Sequence, residues 1–325
     1  MMERIPNFFQ KYEQFNKDYL TADFSPRQYY RWTNAKISYV LMDSVDLKTL
    51  NEFIMVDELL LSLGLSAPEI IEQDTEQGFL LLEDFGDNTF TKVLQTNLNS
   101  EYVLYKNAVQ TLMHLQERCE NKPGFLKEYT SELGLEKVKQ FSTHYLPQVL
   151  AKDCSNLENS FLKAWHAPIE LALSTKKGIF LRDYHVDNLM DLPKRAQPKN
   201  VGLLDFQDAL WAPVAGDLVS LLEDARRDVP VEIKQDMWKH YLDFYPKGDH
   251  EEIYIAGTIL SAVRHTKIIG LFTRVAKQNN NTRHLKRITN LWSLLQECCK
   301  ISELQVVREW LNECVPENFR IVPSL

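Results

Sequence analysis

Leu181-Arg182-Asp183-Tyr184-His185-Val186-Asp187-Asn188 is the stretch that decides the reading of this 325-residue chain. An Arg-Asp pair is followed by Asn188 five residues after Asp183, and Asp205 closes the apolar run Val201-Gly202-Leu203-Leu204 seventeen residues further on. Phosphoryl transfer needs in-line positioning and charge compensation more than covalent chemistry. An acid on a rigid loop orients a hydroxyl and accepts its proton late. A neutral amide oxygen and a second carboxylate suit a hard divalent cation with oxygen ligands. Asp183 is therefore expected to be the base, and Asn188 and Asp205 the ligands of Mg²⁺. An isolated Asp and Asn at this spacing is a common turn. Here it gains meaning from the apolar Ile179-Phe180-Leu181 before it and the apolar run that ends on Asp205.

Outward from that core, the chain changes character. Residues 2–20 place Ile5, Phe8, Phe9, Tyr12, Phe15 and Tyr19 near helical spacing and predict an amphipathic helix. Residues 28–32 and 36–42 predict two strands from their Tyr, Trp, Ile and Val content. Residues 47–63 predict a helix stopped by Gly64. Residues 70–72 and 79–83 predict two more strands, and Asp84-Phe85-Gly86-Asp87 is a polar junction. Helices are expected over 89–97, 100–119, 131–151, 156–175, 214–226, 231–245, 250–277, 282–300 and 302–314, with short strands between 179 and 210. The fold class is therefore α+β and bilobal: a small β-rich N-lobe, 1–86, and a larger, mainly helical C-lobe, 87–325. The junction of two such lobes is where a ligand is expected.

Composition narrows the partners. Lys and Arg total 37 against 45 Asp and Glu, a formal charge of −8. That balance argues against a nucleic-acid surface, which needs a basic stripe. The apolar runs read as too short and interrupted to span a bilayer, so no membrane partner is expected. The N-terminus lacks the apolar core of a signal peptide. The five cysteines lack C-x-x-C spacing, which fits reduced thiols in the cytoplasm.

A family resemblance now enters. Residues 181–190 resemble the catalytic loop of aminoglycoside phosphotransferase-like kinases. Residues 201–229 (VGLLDFQDALWAPVAGDLVSLLEDARRDV) are similar to the metal-binding segment of the anomeric N-acetylmuramate/N-acetylglucosamine kinases of cell-wall recycling, and residues 24–32, 78–86 and 264–272 are similar to other stretches of the same branch. The resemblance implies a protein-kinase-like fold, ATP and Mg²⁺ as cofactors, and a small-molecule acceptor, an amino sugar. It implies that Glu83, Asp84 and the nearby backbone meet the adenine, and that the loop around Ser25 and Arg27 covers the phosphates.

The sequence departs from the wider pattern in three places. Leu181 stands where many relatives have His. No glycine occurs between Thr21 and Trp32. Asp43 stands near the place of the strand lysine that grips phosphates, which leaves Lys36 and Arg31 as cationic candidates. Asp217 opens a helical run and reads as a first-turn carboxylate bracing the catalytic loop with Arg182. Asp208 reads equally as a metal neighbour or a solvated turn. His114 reads as structural. On the acceptor side, Arg226, Arg227, Arg264, His265, Lys267 and Arg274 make the helical part locally basic. Arg264 is the favoured contact for an acceptor carboxylate. His185 is read as loop packing or acceptor contact, and Trp211 as a sugar-stacking or core residue. The alternatives are an aminoglycoside, choline or other small-alcohol kinase, and a pseudokinase-like scaffold that binds nucleotide without turnover.

Overall fold

The computed structural model describes residues 11–20 and 27–324. Among the described residues the first regular element longer than a turn is a strand, Asn16–Leu20 (β1), where the aromatic spacing predicts the end of a helix. β1 pairs antiparallel with Gln28–Thr33 (β2), Lys17 opposite Trp32 and Tyr19 opposite Tyr30. The two-residue period of that ladder places Lys17 4.7 Å from the Trp32 ring and Tyr19 5.5 Å from the Tyr30 ring. Tyr12 and Phe15 turn back onto Trp32 and Tyr39 instead of continuing a helix. The earlier part of that expected helix, with Ile5, Phe8 and Phe9, lies outside the described residues.

Packing groups the chain into two compact units, Met1–Arg118 with Val186–Ala209, and Cys119–His185 with Leu210–Leu325. This division differs from a single boundary after Gly86. The helices that follow the junction pack with the first unit, and so does the segment carrying Asn188 and Asp205.

In the first unit β2, Ser38–Asp43 (β3), Ile70–Asp74 (β4) and Phe79–Glu83 (β5) join β1 in an antiparallel sheet of order β1-β2-β3-β5-β4. Four of the five β5 residues are buried, which is why Phe79-Leu80-Leu81-Leu82 is an unbroken apolar run. Leu47–Ser62 (α1) starts at Asp46, whose carboxylate accepts the Lys48 and Thr49 N–H groups, and Gly64 leaves it at φ +80°. Phe90–Thr96 (α2), Glu101–Arg118 (α3) and the hairpin of Leu189–Asp191 and Val201–Leu203 complete the unit. Gly202 is required there, because a Cβ would lie 2.9 Å from both Met190 Cβ and the Phe85 ring.

The second unit holds a two-stranded sheet, Lys177–Phe180 with Leu210–Pro213. The second of these strands was not anticipated. Its helices are Ser131–Gln140 (α4), Leu146–Leu150 (α5), Ser155–Leu173 (α6), Gly216–Leu222 (α7), Val231–Leu242 (α8), His250–Asn279 (α9), Ile288–Cys298 (α10) and Gln305–Cys314 (α11). The helix expected over 131–151 is interrupted by a π turn at Phe141–Tyr145, and the one expected over 214–226 stops at Leu222. Phe141, Phe161, Trp165 and Trp292 are the large rings of a core that α9 runs through. α9 also corrects the expectation that no stretch suits a bilayer. Lys247–Asn279 is long and apolar enough by composition, but 72% of its apolar window is buried, the mark of a core helix.

Candidate active site

The loop bearing Asp183 is fixed from the second unit. The two oxygens of Asp217, in the first turn of α7, accept the backbone N–H groups of Leu181 (2.6 Å) and Arg182 (2.9 Å). Arg182 has φ +75°, a left-handed conformation that a non-glycine residue keeps only when its surroundings enforce it. The Asp217 clamp supplies that enforcement. Burial pushes the Asp217 carboxyl up to about 7, with Asp183 adding to the rise and the two N–H groups opposing it.

Asp183 is surrounded by cations. Burial raises its pKa, but Lys267, His185, Arg182 and Arg264 outweigh burial and hold the carboxyl below its ordinary range. Lys267 and Arg264 lie one turn apart on α9. Burial brings the Lys267 ammonium down to about 8, although Asp183 pulls it up. His185, 4% exposed, is driven down to about 4, first by burial and then by Arg226, so its imidazole is neutral at pH 7. Asp224, just beyond α7, is 1% exposed and stays below its ordinary range, because Arg226, His185 and Arg264 overcome its burial. Glu223, next to Asp224, and His265, next to Arg264, form a separate contact: His265 Nε2 and Glu223 Oε2 are 2.8 Å apart, with the Ser261 hydroxyl on the same carboxylate and Cys298 Sγ at 3.7 Å.

The first unit brings Asn188 and Asp205 together. The Leu204 N–H donates to the Asn188 carbonyl at 3.0 Å, and Asn188 Nδ2 lies 3.4 Å from Asp205 Oδ2. Gln207 Nε2 donates to Asp205 Oδ1 at 2.8 Å. Asp205 is a left-handed residue, φ +59°, and Phe206 anchors the turn by stacking on Phe53 at 4.9 Å. A half-turn of the Asn188 amide puts its Oδ1 beside the Asp205 carboxylate. The pair is then an all-oxygen donor set of the kind a hard divalent cation takes. Thr91 donates to Asp187 in the same segment.

The other expected nucleotide residues are more dispersed. Ser25 lies outside the described residues. Arg27 is buried, and its guanidinium donates to the Thr49 carbonyl of α1 (3.1 Å). Lys36 is exposed on the β2–β3 turn, where Asn34 caps its backbone N–H. Glu83 pairs with Arg195, which also donates to Ser66 Oγ at 2.9 Å. Asp84 receives Arg31 Nε at 2.7 Å, the Ser38 hydroxyl and the Gly86 N–H at 2.8 Å. Arg31 also reaches Asp87 at 2.9 Å, so it is engaged in bracing the 84–87 turn. Trp211 is 8% exposed in its strand, with its backbone bonded to Lys127 and Tyr129. His114 Nε2 meets the Leu63 carbonyl at 2.8 Å, a structural role for this helix end. Sequence reasoning passed over Asp224, Arg195 and Asp87. Asp224 left one faint signal, an acid two residues before the Arg226-Arg227 pair and two residues after an apolar helix.

Residues 19–253 match the APH family, described as a phosphotransferase enzyme family. The chain belongs to this family and is a phosphotransferase of the small-molecule kinase class. It is 28% identical over 288 residues to an N-acetylmuramate/N-acetylglucosamine kinase of Pseudomonas putida (85% of this chain, 81% of the relative). It is 30% identical over 268 residues to the kinase of the same name from Caulobacter vibrioides (79% and 72%), and 28% over 320 residues to that of Neisseria meningitidis (94% and 92%). Among solved structures, choline kinase LicA from Streptococcus pneumoniae superposes with a TM-score of 0.61 at 13% identity, covering 89% of this chain and 96% of that one. The ADP-bound aminoglycoside phosphotransferase APH(2'')-Ib gives 0.58 at 13%, covering 89% and 95%. The fold is thus the kinase-like α+β fold of these enzymes.

Proposed function

We propose that the chain transfers the terminal phosphoryl group of ATP to the anomeric hydroxyl of an amino sugar, N-acetylmuramate or N-acetylglucosamine. The observation that carries this reading is the cationic surrounding of Asp183. Lys267, Arg182 and Arg264 all act on its carboxylate. A polyammonium aminoglycoside calls for acceptor-side carboxylates, and choline for an aromatic cage. Cations around the base suit an anionic or neutral sugar. The shared activity name of relatives aligned over most of the chain supports the same acceptor.

In this reading Asp183, ionised at neutral pH, orients the acceptor hydroxyl and takes its proton as the new P–O bond forms. Asn188 and Asp205 hold Mg²⁺, which when bound neutralises charge on the phosphates. Asp217 keeps the loop at the angle Asp183 needs. The ion pairs of Glu83 with Arg195 and of Asp84 with Arg31 fix the 83–87 segment, which with Glu83 and Asp84 meets the adenine. Lys36, Arg27 and Ser25 serve the phosphate side, and His185, Trp211 and Arg264 the acceptor side. Free cysteines throughout fit work in the cytoplasm, where ATP is supplied.

The test is an ADP-release assay with ³¹P detection of product, run against N-acetylmuramate, N-acetylglucosamine, choline and kanamycin. Turnover of the two sugars, with product phosphorus bonded at the anomeric oxygen, is the expected result. Turnover confined to choline or kanamycin overturns it. ATP binding without turnover of any acceptor would favour a nucleotide-binding scaffold instead.

A further inference from the structure

Among the buried polar atoms without a hydrogen bond are two of opposite character in the charged cluster near Asp183. Oδ1 of Asp224 accepts from the Arg226 backbone N–H (2.9 Å) and from its Nη1 (3.2 Å). Oδ2 of Asp224 is sealed from solvent with no hydrogen-bond partner, and so is Nη1 of Arg264. Leaving such an atom unmatched costs on the order of 1–3 kcal/mol. An atom in that state keeps hydrogen-bonding capacity that a ligand can take up.

We propose that Asp224 and Arg264 are the acceptor-reading pair. Arg264 takes the lactyl carboxylate of N-acetylmuramate, and Asp224 takes a ring hydroxyl shared by both sugars. The inference rests on the amino-sugar reading above and adds which groups discriminate. The chemistry matches atom by atom. A guanidinium offers a planar fork that a carboxylate fills, and a carboxylate oxygen needs a donor such as a sugar hydroxyl. The two groups act on each other electrostatically without hydrogen bonding, so neither exhausts the other's capacity. Their placement is rigid. Glu223 and His265, the residues next to them in the chain, bond at 2.8 Å and tie the end of α7 to α9. That contact holds Asp224 and Arg264 in position before any sugar arrives.

The test compares kcat/KM for N-acetylmuramate and N-acetylglucosamine on the same enzyme preparation, since their ratio is insensitive to the folded fraction. Arg264→Gln should lower the ratio in favour of N-acetylglucosamine by at least about tenfold, the loss of one charged hydrogen bond. Arg264→Lys, which keeps the charge but not the fork, should lower it less. Asp224→Asn should raise KM for both sugars and keep the ratio. An unchanged ratio in both Arg264 variants, or unchanged KM values in Asp224→Asn, overturns the proposal. If the wild-type chain phosphorylates neither sugar, the functional reading itself fails. If it phosphorylates both and the ratio stays fixed in the variants, only this inference fails.

Discussion

The Leu181 backbone N–H points at Oδ2 of Asp217 from 2.6 Å, across 36 residues of sequence, and this bond sets the entry to the Asp183 loop. The Asp217 carboxyl, raised from 3.8 to about 7 mainly by burial, has a definite sign in stability. The folded state favours its protonated form. Its contribution is full below about pH 4 and is lost as pH rises through 7. The excess Tm of the wild type over Asp217→Asn should therefore narrow between pH 5 and 8. A gap that widens instead would mean that the two N–H donors hold the carboxylate charged.

Asp183→Asn should reduce kcat by about 10²–10⁴, the range for losing a positioned general base. The dissociation constant for ATP should change little, because in the proposed reading the residue acts on the acceptor hydroxyl. Isothermal titration alongside steady-state kinetics separates the two effects. A near-wild-type kcat would remove Asp183 from the mechanism.

Gln207 donates to Asp205 Oδ1 at 2.8 Å and so orients the carboxylate proposed to hold Mg²⁺. Gln207→Leu should raise the Mg²⁺ concentration for half-maximal rate about 10-fold or more, as loss of an orienting partner does. Asp205→Asn should raise it further. Equal Mg²⁺ dependence in wild type and both variants would place the cation elsewhere.

Lys267 should leave a mark on the alkaline side. Burial brings its pKa to about 8, with Asp183 opposing and Lys137, Arg182 and Arg264 adding to the fall. As pH rises through 8 the ammonium becomes neutral, and Asp183 loses a stabilising charge. A fall in kcat/KM above about pH 8 is expected. Lys267→Arg, which stays protonated, should move that fall to higher pH. An identical profile in the variant would assign the fall to another group.

Gly270 marks the closest approach of α9 to the end of α4, where a Cβ would stand 2.2 Å from the Gln140 carbonyl carbon and 2.3 Å from its oxygen. Backbone cannot swing away as a flexible side chain can. Gly270→Ala should cost about 1–3 kcal/mol or more by overpacking. The readout is urea unfolding of the second unit's tryptophans. An unchanged midpoint would show that α9 can shift.

The sequence reveals most where one residue type and one spacing suffice. Asp183, Asn188 and Asp205 stand out because phosphoryl transfer to a hydroxyl calls for acids and an amide at fixed intervals. α1 is legible because Gly64 marks its end. Tyr12, Phe15 and Tyr19 misled because their helical spacing arises from a turn feeding a strand, a difference decided by pairing with β2. Leu210-Trp211-Ala212-Pro213 is buried along its length, so it shows no alternation to mark a strand. Asp224 and Lys267 stayed hidden for another reason. Lys267 is 84 residues from Asp183, and only the packing of α9 reveals that the two charges act on each other.

The two units are interleaved along the chain: Val186–Ala209 belongs with Met1–Arg118, although Cys119–His185 comes between them. No single cut yields either unit whole. A two-piece expression experiment would have to graft residues 186–209 behind 118 to rebuild the first, and doing so would separate Asn188 from Asp183 on different polypeptides. Exchanging nucleotide or acceptor preference between relatives by swapping halves is blocked for the same reason. Such transplants must move both segments of a unit together, and the cut between them falls inside the 181–208 stretch that carries Asp183, Asn188 and Asp205.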